Sequence, residues 1–107
     1  MARRSATAPV TLGSTAYVAF IATDTGAPTA ADSTPTAKVY AASSLASDED
    51  MGVPVTVTAV TGKAGFYVAS FDATSGNGFG AGENYVLVIE YTISTTAYAD
   101  LVDVPVV

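Results

Sequence analysis

Three stretches of this sequence hold residue types whose spacing could do chemistry. Asp24-Thr25-Gly26 follows the apolar run Phe20-Ile21-Ala22. Two carboxylates in such triplets, sharing one proton, would activate water. Asp48-Glu49-Asp50 gathers three carboxylates, and hard cations such as Ca²⁺ want several oxygen ligands. Gly76-Asn77-Gly78-Phe79-Gly80-Ala81-Gly82 has the glycine content of a loop that cradles phosphate.

Each pattern lacks a part its chemistry needs. The first triplet is similar to that of the small dimeric aspartic proteases. Those also need a late apolar-apolar-Gly segment followed by a helix, whereas this chain closes with Leu101-Val102-Asp103-Val104-Pro105. The triplet runs directly into Ala27-Pro28 and reads as a strand-ending turn. In such a turn Asp bonds its own backbone and Gly takes positive φ. Consecutive carboxylates do not by themselves converge, and the alternating Asp-x-Asp-x-Asp-Gly pattern is absent. Residues 48–50 therefore read as a solvated loop, and no metal is expected. A phosphate loop follows a strand, opens a helix and carries Lys followed by Ser or Thr. Here no Lys is present and a strand comes next, so the glycines read as a flexible loop with Phe79 as its apolar plug.

Composition removes most other chemistry. There is no Cys, hence no thiolate nucleophile and no disulfide. There is no His, which removes Ser-His catalysis and the commonest metal ligand. The expectation is a non-enzyme without cofactor. Net charge is −6, and the only cations are Arg3, Arg4, Lys38 and Lys63. Binding to phosphate backbones needs more Lys and Arg than that, so no nucleic-acid partner is expected. Charged residues make up 13% of the chain, against a usual share of about 25%. Such a surface is either wetted by Thr and Ser or covered by partners; the second is favoured. No 18-residue apolar run exists, so no membrane span is expected. The start Met1-Ala2-Arg3-Arg4-Ser5 lacks the apolar core of a secretory signal. The expectation is a protein made in a cytoplasm that leaves it, if at all, as part of something larger.

The elements that would position these residues are strands. Tyr85, Leu87, Ile89, Tyr91 and Ile93 share one parity in residues 84–93, and Val86, Val88, Glu90 and Thr92 share the other. Period two lays the first set on a core. Burying four such side chains is worth roughly 6–12 kcal/mol before entropy is subtracted. Further strands are predicted over 15–22, 36–41, 53–60, 66–71 and 98–106. Pro54 lacks an N–H and puts its strand at a sheet edge. Residues 43–52 form the longest charged loop, with room for one helical turn. The six tyrosines sit in strands, where Tyr is favoured, rather than on a stacking face. A chain of 107 residues makes one domain that buries about 60–65% of its unfolded surface. The predicted fold is all-β: a single antiparallel, immunoglobulin-like β-sandwich of six to eight strands over 13–107, preceded by an extended arm over 1–12.

The order of several short motifs resembles a set of small proteins encoded among the structural genes of tailed bacteriophages and prophages. These are Tyr17-Val18-Ala19-Phe20, Gly26-Ala27-Pro28-Thr29, Lys38-Val39-Tyr40, Val55-Thr56-Val57, Thr61-Gly62, Phe71-Asp72-Ala73-Thr74-Ser75-Gly76 and Ala81-Gly82-Glu83-Asn84-Tyr85-Val86-Leu87-Val88. The likeness covers about residues 15–100 and departs at the 43–52 loop and at the end of the chain. It implies a β-sandwich component of a virion: a capsid decoration (cement) protein, a tail or baseplate accessory, or a fibre module. The first is the expectation. The partners would then be the major capsid protein or other virion subunits, and the chain would be a homo-oligomer or multi-copy. Contact residues would be Arg3, Arg4 and Pro9 of the arm, together with Phe79. The alternative is a carbohydrate- or receptor-binding module of a fibre or baseplate that uses loop aromatics such as Phe79.

Overall fold

A computed structural model of the chain describes residues 2–7, 9–24 and 26–107, with backbone alone for 2–6. In chain order the strands are β1 (Ala2–Ala6), β2 (Thr15–Ile21), β3 (Thr23–Asp24), β4 (Ala27–Pro28) and β5 (Thr36–Ala41), then β6 (Thr56–Ala59), β7 (Phe66–Asp72), β8 (Asn84–Ile93) and β9 (Thr96–Pro105). Short 3₁₀ turns cover Ala42–Ser47 and Ser75–Asn77. The fold is mostly β, as the alternating pattern predicts, and among the described residues every pairing between named strands but β1–β9 is antiparallel.

One sheet has the order β1-β9-β8-β5 and the other β2-β7-β6; β3 and β4 form a small ribbon. Both sheets feed one apolar cluster. β8 contributes Tyr85, Leu87, Ile89, Tyr91 and Ile93, the parity predicted to face inward. β2 contributes Ala16, Val18 and Phe20, and β7 contributes Tyr67, Ala69 and Phe71. Val86 and Tyr40 lie on the opposite faces of their strands yet are buried, and the 3₁₀ turn at Ala42–Ser47 packs on β5 and β8. That turn is the helical element the charged loop had room for.

Residues 2–6 differ from the predicted arm. They form β1, which runs parallel to β9 with Arg3 beside Asp100 and Arg4 beside Leu101. Val10 bridges Val106, and the Leu12 N–H donates to the Val107 carbonyl at 2.9 Å. β9 offers a row of unpaired backbone groups along its outer edge, and pairing satisfies them whatever the side chains of 2–6 are. β6 is shorter than predicted and starts after Pro54 and Val55, consistent with the missing proline donor. It is an edge strand, as expected.

Gly65 marks a close approach. A Cβ there would lie 2.6 Å from the Thr29 backbone nitrogen, and its φ is +86°. The Gly65 carbonyl accepts from Ala22 N–H while the Ala22 carbonyl accepts from Thr29 N–H. The turn before β7 is thereby sewn to the β3–β4 ribbon.

Candidate functional site

Two of the carboxylates singled out by chemistry, Asp24 and Asp48, and a third, Glu83, are each bonded to a tyrosine hydroxyl. Asp24 sits at the end of β3, in the ribbon whose corner includes Gly26 at φ +87°; Thr25 lies outside the described residues. The Tyr98 hydroxyl donates to Asp24 Oδ1 at 2.8 Å. Asp48 ends the 3₁₀ turn in the left-handed region (φ 54°), and the Tyr40 hydroxyl donates to its Oδ1 at 2.7 Å. Glu83 Oε2 accepts from the Tyr85 hydroxyl at 3.0 Å, and that same oxygen of Tyr85 accepts the Gly80 N–H at 2.7 Å. In each case a phenol rooted on a strand fastens a carboxylate in a loop or at a strand end.

The electrostatics follow from the pairing. A hydrogen bond to Asp48, reinforced by burial, pushes the Tyr40 phenol up to about 12. Burial raises Tyr85, with Gly80 N–H opposing and Glu83 adding to the rise. The Asp24 bond raises Tyr98. Among the described residues no three acidic side chains gather to hold a metal ion, and every buried side-chain nitrogen or oxygen has a hydrogen-bond partner. Among the described residues the interior thus presents no unused side-chain polar group aimed at a ligand.

Of the predicted contact residues, Phe79 is withdrawn from the surface. It is 3% exposed. Its ring stacks on Phe71 at 5.6 Å and meets Tyr85 edge-on at 4.7 Å. The plug reading of Phe79 therefore stands, and its reading as a surface contact is corrected. The glycine loop is also pinned rather than loose. Thr74 caps Asn77, Gly82 N–H donates to the Val106 carbonyl at 2.7 Å, and Phe79 N–H donates to the Thr74 carbonyl at 3.1 Å. Pro9 is exposed, between β1 and the Val10 bridge. The side chains of Arg3 and Arg4 lie outside the described atoms.

The surface with the clearest capacity for contact is the outer face of β2-β7-β6. Thr15, Tyr17 and Ala19 lie there on β2, flanked by the half-buried Phe66, Val68 and Ser70 of β7 and by Thr56 and Thr58 of β6. Tyr17 is 73% exposed. Asp72, bonded by the Thr15 hydroxyl at 2.8 Å, is the one charge in these three strands and lies at a corner. A groove of ≈ 400 Å³ bordered by Ala59, Val60, Lys63 and Phe66 continues the face at its far end. Sequence reasoning set Tyr17 among strand tyrosines without marking it out. The available signal was parity: Tyr17 is out of phase with Ala16, Val18 and Phe20.

Comparison with family models, curated proteins and solved structures finds no match to this chain.

Proposed function

We propose that this chain is a non-enzymatic structural component of a phage virion, a capsid decoration protein that acts through protein–protein contacts. In this reading the two sheets are the layers of an immunoglobulin-like β-sandwich. The shared core of β2, β7, β8 and β9 residues supports that description. The sandwich is a rigid body, present in many copies, laid against the major capsid protein.

The observation that carries the reading is the outer face of β2-β7-β6: an exposed tyrosine on a sheet surface almost without charge. A face depleted of charge, with an exposed aromatic beside the half-buried Phe66 and Val68, is suited to contact with another protein. The engaged carboxylates and the absence of Cys and His in the sequence are consistent with a protein that holds rather than reacts. Burial of Phe79 removes the residue on which the glycan-binding alternative rested.

The test is the composition of particles. Virions of the phage or prophage that encodes the chain are purified, heads and tails are separated, and the chain is quantified against the capsid protein. The expected result is a fixed ratio in heads. Absence from heads, or turnover of a substrate by the purified chain, overturns the proposal.

A further inference from the structure

The two sheets expose four edges, and three carry a device that discourages further pairing. β1 contains Arg3 and Arg4, β5 contains the exposed Lys38, and β6 is four residues long and follows Pro54. Charges, brevity and proline are the usual protections of a sheet edge. β2 has none of them. It runs seven residues, Thr15–Ile21, with no charge and no proline, and in continuous register with β7.

The direction of its backbone groups follows from the bonds that extend the ladder. Ala73 N–H donates to the Ser14 carbonyl at one end, and Ala22 N–H donates to the Gly65 carbonyl at the other. In an antiparallel ladder alternate residues bond the same neighbour. The even-numbered residues of β2 therefore bond β7. Thr15, Tyr17 and Ala19 turn their N–H and C=O groups outward, where no strand pairs with them among the described residues.

We propose that this edge pairs antiparallel with β2 of a second copy about a two-fold axis near Val18, joining the two three-stranded sheets into one. In that register Tyr17 lies opposite Ala19 of the second copy, and the two residues exchange backbone hydrogen bonds in both directions. A large ring meets a methyl group on each side of the axis, so the strip is complementary to itself, as a two-fold interface requires. Charge at the strip itself does not oppose this occupant. A basic foreign partner would be drawn to acidic segments such as 48–50, whereas the β2 strip is uncharged and can approach its own kind. Each copy carries −6, so the remaining repulsion is long-range and salt weakens it. Pairing of one strand per copy is a small interface, below ~1,200 Å² in total, which makes a reversible, weak dimer.

This deepens the decoration reading by naming the first neighbour, and it is tested separately. Sedimentation equilibrium of the full chain is measured over a range of concentration and salt. The expected result is a reversible dimer that tightens as NaCl rises. Ala19→Pro removes an outward N–H that the chain's own sheet does not use, and Ala19→Lys sets like charges beside the axis. Both are expected to weaken the dimer at least ~10-fold, a loss of ~1.4 kcal/mol, while circular dichroism shows an unchanged β fold. Ala19→Lys stands alone if Ala19→Pro unfolds. A wild-type chain that stays monomeric, or a dimer indifferent to Ala19→Lys, overturns the proposal. So does a β2 edge that becomes protected from hydrogen exchange only when another virion subunit is added. A monomer that still coats heads sinks the dimer and leaves the virion role; a dimer missing from heads does the reverse.

Discussion

Ser94 and Thr95, at the corner between β8 and β9, have φ of 49° and 67°. Two-residue hairpin corners of this hand favour Asn-Gly, and a non-glycine residue there costs roughly 1–2 kcal/mol. Asp32, distant in sequence, offsets the cost. Its Oδ1 accepts from Ser94 N–H at 3.0 Å and its Oδ2 from Thr95 N–H at 3.2 Å. Asp32→Ala is expected to lower stability by about 1.5–3 kcal/mol, read from the urea midpoint, and Thr95→Gly in that background to recover part of the loss. An unmoved midpoint would mean the corner holds itself. Tyr40 gives a second test at this scale. Its phenol is raised from 10.0 to about 12, so the folded chain holds that proton more tightly than the unfolded chain does. The stabilisation is fully present below pH 10 and is lost as pH climbs through about 12. Phenolate absorbance should show late-titrating tyrosines, Tyr40, Tyr85 and Tyr98 among them, and Tyr40→Phe should remove one of these and lessen the alkaline fall in stability.

The glycine-rich segment between β7 and β8 shows how one side chain turns a loop into part of the core. Phe79 packs between Phe71 of β7 and Tyr85 of β8, so the loop spans both sheets. Phe79→Ala should cost about 3–5 kcal/mol through the cavity it leaves, measured by denaturant unfolding. A loss under ~1 kcal/mol would mean the ring's neighbours collapse onto the site or that Phe79 is not buried there. β1 teaches a related lesson. Because it completes the sheet edge beside β9, deleting it uncovers that edge. Loss of particle incorporation after such a deletion would then report folding as much as docking.

At the scale of the molecule, two sheets share one apolar cluster, and neither has a core of its own. Unfolding should therefore be a single cooperative step. Tyrosine fluorescence, the available probe in a chain without Trp, and far-ultraviolet circular dichroism should give coincident transitions. Separate midpoints would show that one sheet survives the other. The same architecture leaves one sheet nearly without charge: in β2-β7-β6 only Asp72 is charged.

The strand class, the inward parity of β8, the Asp24–Gly26 corner and the edge position of β6 were legible because each depends on local properties. Side-chain alternation, glycine at positive φ and the missing N–H of Pro54 act within a few residues of chain. The sequence also determined which chemistries are absent, since Cys and His are simply not there. Tertiary structure alone decided the rest. Residues 2–6 carry no periodic signal, and they become a strand because β9 presents an edge some 97 residues away in register. Phe79, an aromatic in a glycine loop, can be plug or contact until two strands close on it. Asp24 meets Tyr98, and Asp32 meets Ser94, across 74 and 62 residues of chain. Which edge of which sheet stays open is likewise a property of strand order, and strand order is set by pairing between segments far apart in the chain, where local preference has no reach.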